Sequence, residues 1–262
     1  MKKIVFLLLL FVSCRVGAQQ FHLIPKVGLN LANTTGEVDS KVRPGLNVGL
    51  GGDVMLDIHT HRNAAVPGEC IFNVEPAWFE PVEGCYYSVG IHPWKVLEAG
   101  PEDWTTLEKA VCHPSVLAIG EAGLDRLGPA DILLQKEVFV RQILLSESVG
   151  KPLVIHCVKA FNELIELKKK YRPQMPWVVH GFRNNLHIAC RLMQENIYFS
   201  LGERYQPDVL RHVPLECLLA ETDESTQDIR MVIGRMAETK NVEVSFLCDR
   251  IDENARKIFF RQ

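Results

Sequence analysis

Between residues 55 and 262 the sequence predicts an α/β protein, a compact or distorted TIM-type (β/α)8 barrel. Three observations point to it. Short apolar runs fit strands near 54–59, 70–74, 86–91, 116–120, 152–156, 177–180, 197–200 and 218–222. Amphipathic stretches with apolar residues three and four apart separate the later runs. Ionisable residues recur where the runs end, the edge at which such a barrel keeps its chemistry.

The chain begins in a different style. MKKIVFLLLLFVSCRVGA has a basic start, a short apolar run and small residues at Val16-Gly17-Ala18, which predicts a signal peptide over 1–18. The run is too short for a confident membrane span. Val27, Leu29 and Leu31 then alternate with polar or small residues. After a polar turn, Leu46, Val48 and Leu50 do the same, which predicts a hairpin. Residues 19–54 resemble the opening strands of Bacteroidetes outer-membrane β-barrels. Two strands cannot close a barrel, and an open sheet edge cannot sit in lipid. The segment is therefore expected to be a fragment that does not fold independently, and Met55 to mark a seam.

Beyond the seam, QKEVFVRQILLSESVG, AFNELIELKKKYR, NLHIACRLMQEN and IRMVIGRMAETKN read as helices among the later strands. The connections around the second strand are short, which makes the barrel compact. The basic run Lys168 to Arg172 reads as a helix C-terminus complementing its dipole, not a DNA patch. A net charge of −3 and a pI near 6.3 exclude a global field for nucleic acid, so any phosphate binding must be local. The eight cysteines form no CxxC pair and sit mostly among apolar neighbours, the pattern of reduced, buried thiols.

The candidate chemistry lies at the strand ends. His59 and His61 close LDIHTH, and side chains two apart on a strand share a face. Glu121 follows LAIG, His156 follows PLVI, His180 follows WVV, and Asp223 ends LLAETD. Each has a bland alternative: ETD serves equally as a helix N-cap, and a lone histidine is commonly structural. Their coincidence on five strands of one barrel predicts a metal centre, since unpaired buried charges destabilise. Four imidazoles and two carboxylates suit one or two divalent ions (Zn, Mn or Mg), with Glu121 able to bridge two. Arg183 and Asn184, just past His180, are candidate phosphate contacts. His22, His113, His187 and His212 read as surface residues, and Cys157 should turn from the site by strand alternation.

LDIHTH, GIHPW, AIGEAGLD, PLVIHC, VVHGF, YFSLG and ETD, in that order, resemble the TatD family of metal-dependent hydrolases. KPLVIHCVKA and PWVVHGFR resemble its short Bacteroidetes members most. The resemblance implies phosphodiester hydrolysis, typically as a deoxyribonuclease. By matching position, His59, His61, Glu121 and Asp223 would hold one metal, and Glu121, His156 and His180 a second. Glu121 and Asp223 would be catalytic, Asp223 by orienting or deprotonating water, and His92 would touch a substrate phosphate. The implied partner is DNA or another phosphodiester. Departures are Val158-Lys159, where longer members carry a basic-acidic pair, and Glu224-Ser225-Thr226, where a proline is common.

Two other classes compete. A small-molecule amidohydrolase would commonly carry a carboxylated lysine where Glu121 stands. An exported structural β protein would need more alternating strands than the sequence supplies after Val54. Localisation is divided: the signal peptide implies export to the periplasm, while the enzyme and its cysteines imply the cytoplasm.

Overall fold

The computed structural model describes residues 15–16, 19–20, 24–32, 43–51, 57–62 and 68–260. Most of the expected signal peptide, Met55 and His22 lie outside the described residues. The chain divides into two compact units, Met1–Val54 and Met55–Gln262. In the first, Ile24–Ala32 pairs antiparallel with Arg43–Gly51, and the register sets Val27 opposite Val48 and Leu29 opposite Leu46. Among the described residues no helix is long and apolar enough to cross a membrane.

The second unit is an eight-stranded parallel sheet in sequential order, curled into a nearly closed barrel. Its strands are β1 Asp57–Thr60, β2 Cys70–Val74, β3 Tyr86–Val89, β4 Val116–Asp125, β5 Leu153–Val158, β6 Trp177–Val179, β7 Tyr198–Leu201 and β8 Leu218–Ala220. The helices are α1 Pro101–Ala110, α2 Ile132–Val149, α3 Phe161–Tyr171, α4 Leu186–Gln194, α5 Pro207–His212, α6 Ile229–Lys240 and α7 Val244–Phe259. Local signals bound several of them. Asp131 caps α2 by accepting from Leu133 N–H, and Gly150 ends it in the left-handed conformation. Lys168, Lys169 and Lys170 fill the last turn of α3, as the sequence predicts. Among the described residues no α-helix follows β1 or β2, whose connections are short, so the barrel is distorted on that side.

α7 was not singled out from the sequence, yet its buried Leu247, Ile251, Ala255 and Ile258 have helical spacing. It joins a cluster with Ile58, Ile71, Leu117, Ala118, Val154, Val178 and Leu219, residues drawn from six strands. Each of Ile58, Ala118, Val154, Val178 and Leu219 precedes its strand's ionisable residue. This apolar layer therefore lies toward the N-terminal ends, and the charged groups occupy the opposite mouth.

Side chains help close the barrel. β1 meets the segment that follows β8 through one isolated bridge, Thr60 to Asp223. Beside it, Asp57 Oδ1 accepts from Thr222 N–H at 3.0 Å and Asp57 Oδ2 from the Thr222 hydroxyl at 2.6 Å. Burial pushes the Asp57 carboxyl up to about 7 despite these bonds.

The structure corrects several expectations. β4 runs on past Glu121 to Asp125, and β5 past His156 to Val158, so neither residue ends its strand. β8 stops at Ala220, short of Asp223. The extra length of β4 follows from two glycines that let it press on β5. A Cβ at Gly120 would lie 2.7 Å from Val154 Cβ, and one at Gly123 only 2.0 Å from His156 O. No disulfide joins the seven cysteines among the described residues; Cys112 and Cys190 are exposed rather than buried.

Candidate metal centre

Glu121 stands at the middle of the barrel mouth, 5% exposed, and its two oxygens face different partners. Oε2 lies 3.5 Å from His59 Nε2 and 3.3 Å from His61 Nε2. Oε1 lies 2.7 Å from His156 Nδ1 and 2.6 Å from His180 Nε2. Asp223 Oδ1 completes the first group, 3.9 Å from His59 Nε2 and 3.7 Å from His61 Nε2. The geometry thus brings together all six residues expected at the strand ends.

Backbone contacts fix this arrangement. Asp223 N–H donates to His59 O at 2.9 Å, and His61 N–H to Asp223 O at 3.1 Å, locking β1 to the segment after β8. Asp223 itself is held at φ 55°, a strained value for a residue with a side chain.

Burial alone would raise Glu121, but His180, His156 and His59 outweigh it and hold the carboxyl well below its usual range. Burial would lower His180, yet Glu121 outweighs it and holds the imidazole well above its ordinary value. His59 goes the other way: burial, reinforced by His180, lowers it toward the neutral form that ligates metals.

The donor set fits divalent metal. His59 is fully buried, and neither ring nitrogen has a hydrogen-bond partner. An orphaned buried donor or acceptor costs about 1–3 kcal/mol, which a coordinated cation would relieve. Ligand atoms of His59, His61 and Glu121 lie within 4.8 Å of one another, as do those of His59, His180 and Asp223, and of His92, Glu121 and His156. His180 therefore clusters with the first group as well as with Glu121. Imidazole and carboxylate together suit borderline divalent ions.

His92 differs from the other histidines. Its Nδ1 accepts from Trp94 N–H at 3.1 Å, which assigns the proton to Nε2, 3.4 Å from Glu121 Oε1. It is a donor aimed into the centre. Arg183 Nη2 lies 3.7 Å from Asp223 Oδ2, on the face of the carboxylate away from the histidines. Arg183 and Asn184 line a cavity of about 990 Å³ that opens from His156, His180 and Asp223.

Sequence reasoning missed four side chains around this centre. Asp125 Oδ2 lies 3.1 Å from His156 Nε2, orienting the ring so that Nδ1 faces Glu121. Glu221 accepts from Gly181 N–H at 2.6 Å and faces His180 Nδ1 at 3.7 Å. Both stand within a few residues of a singled-out position, but nothing in the sequence marks which ring they meet. Lys159 is exposed and lines the cavity, and Trp94 stands beside His92 and His156. His212 is exposed as expected, and both it and Cys157 are among the residues that line this cavity. Burial pushes the Cys157 thiol far up, against a nucleophilic role.

Comparison with known proteins places the chain in a family. The chain is 28% identical over 204 residues to an uncharacterized metal-dependent hydrolase, YabD, of Bacillus subtilis, covering 69% of this chain and 79% of that one. It is 26% identical over 209 residues to the 3'-5' ssDNA/RNA exonuclease TatD of Edwardsiella piscicida, covering 75% and 77%. The crystal structure of YJJV, a TatD homolog from Escherichia coli, superposes with a TM-score of 0.70 at 20% identity, covering 79% of this chain and 98% of that one. The family described as TatD related DNase matches residues 77–260. With well over half of its length matched, the chain belongs to the TatD-related DNase family and is a metal-dependent hydrolase of that type.

Proposed function

We propose that residues 55–262 hydrolyse phosphodiester bonds of DNA or a related nucleic acid with one or two divalent metals. The observation that carries this reading is the split of Glu121: one oxygen faces His59 and His61, the other His156 and His180. A carboxylate placed between two imidazole pairs suits a bridging ligand for two-metal phosphoryl chemistry. The nuclease names carried by relatives in the family support the substrate class.

In this reading His59, His61, Glu121 and Asp223 would hold one ion, and Glu121, His156 and His180 would hold the other. Bound metal would lower the pKa of a water toward about 7 and offset charge on the phosphoryl oxygens. Asp223 Oδ1, on the histidine side, takes the proton of the attacking water. Arg183 holds the other Asp223 oxygen in place and adds positive charge where the phosphate arrives. His92 Nε2–H donates to a phosphoryl oxygen, a role its tautomer permits. Lys159 and Asn184, on the cavity wall, contact neighbouring phosphates. The choice between Zn, Mn and Mg is left to the donor set, which favours the first two.

The test is a screen of the purified full chain, stripped with a chelator and reloaded with Mn, Zn or Mg. Substrates are single-stranded DNA, bis-p-nitrophenyl phosphate and a panel of amides. Metal-restored cleavage of the phosphodiesters is the expected result. Turnover of amides alone would replace the reading with the amidohydrolase one. Residues 55–262 alone are expected to match the full chain; an inactive, soluble 55–262 fragment would show that the first unit contributes.

A further inference from the structure

Trp94 stands at the barrel mouth and is unused by the chemistry above. It lies in the short helical turn Pro93–Lys95 and is 53% exposed. Its ring centroid is 5.3 Å from that of His92 and 6.3 Å from that of His156. The exposed indole is nevertheless anchored: Nε1–H donates to Asp125 Oδ2 at 2.6 Å, the oxygen that also meets His156 Nε2.

Asp125 is itself held. Its Oδ1 accepts from Leu127 N–H at 2.8 Å, and its backbone N–H donates to the buried Gln135 at 2.7 Å. The following turn leaves room for the ring at Gly128, where a Cβ would come 2.9 Å from Trp94 Cδ1. The polar edge is therefore pinned while about half of the side chain stays in water. Packing alone does not account for this, because a large aromatic gains most when buried. A fixed aromatic surface beside a phosphate-processing centre has the form of a base-stacking platform, since every nucleobase offers a π-face.

We infer that Trp94 stacks against a nucleobase of the substrate strand, next to the phosphate being cleaved. The inference rests on the nuclease reading above and extends it. Lys159 and Arg183 line the cavity that opens from His156 and His180, and they take the backbone phosphates. The strand then crosses the mouth with one base on the indole and its phosphates running toward those cations. A base inside a duplex has no free face at this position, so single strands are preferred over duplexes. Stacking reads the presence of a base and not its identity, so sequence preference is weak.

The experiment uses the full chain loaded with Mn, comparing wild type, Trp94→Ala and Trp94→Phe. Each acts on a fixed single-stranded oligonucleotide and on versions in which one abasic nucleotide is walked along it. For the wild type, one abasic position adjoining the cleaved bond should raise KM about ten-fold. W94A should show a similarly raised KM on the intact strand and no further penalty at that position. W94F keeps a ring but loses the N–H to Asp125, so it should retain most of the abasic penalty even if its kcat falls. If W94A shows the same abasic penalty as wild type, or W94F behaves as W94A, the platform is wrong and Trp94 acts only by positioning Asp125. A wild type that cleaves no oligonucleotide overturns the nuclease reading. Equilibrium binding of the oligonucleotide in chelator then decides Trp94 separately: equal affinity for wild type and W94A, or no binding, overturns the platform.

Discussion

Glu121 Oε1 faces two histidines whose far nitrogens look toward outer carboxylates, His156 toward Asp125 and His180 toward Glu221. Glu121 Oε2 faces His59, whose ring nitrogens have no hydrogen-bond partner, and His61, whose side chain is 38% exposed. On the first side Asp125 orients the His156 ring, and Glu121 Oε1 holds His180 through Nε2, while His180 Nδ1 has no hydrogen-bond partner. On the second, backbone bonds between His59, His61 and Asp223 set the chain path, and the His59 ring nitrogens have no hydrogen-bond partner. His156 is thus pre-organised by an outer hydrogen bond, whereas His59 has none and would be ordered by a bound ion.

The largest effect is expected at Glu121, the group both sides share. Glu121→Gln should abolish hydrolysis and lower bound metal on both sides, measured by turnover and by elemental analysis of the purified chain. Retention of two metals per chain would show that the carboxylate does not bridge.

His59→Ala with His61→Ala should remove one side only. Metal-dependent hydrolysis is expected to vanish while the fold persists by circular dichroism, and the metal-induced rise in Tm should shrink. Full activity on single-stranded DNA with added manganese would sink the assignment of that side.

The smallest expected effects fall on the outer carboxylates. Asp125→Asn and Glu221→Gln should each weaken metal affinity or activity by about 10- to 100-fold, the usual range for such partners. A loss below two-fold at both would mean that His156 and His180 are oriented by packing alone, and the contrast between the sides would disappear.

Much of this was legible in the sequence. Apolar runs ending in LDIHTH, PLVIH and WVVH announce strands that deliver histidines to one edge, because parallel strands in a barrel share a direction. The short connections around β2 announced the distortion. The path of β4 beyond Glu121 was not legible, because it depends on how closely Gly120 and Gly123 approach Val154 and His156. α7 was passed over because its apolar face serves a layer built from six separate strands.

By itself, then, the sequence determined the class of chemistry and the six side chains at its centre, since residue type and strand-end position are local properties. Only the tertiary structure decided how the centre is divided: which oxygen of Glu121 faces which pair, which nitrogen of His156 turns inward, and that Asp125 joins His156 to Trp94. Asp125 and His156 are 31 positions apart, as are Trp94 and Asp125. Hydrogen-bond direction between groups so separated is set by through-space geometry that no local pattern encodes.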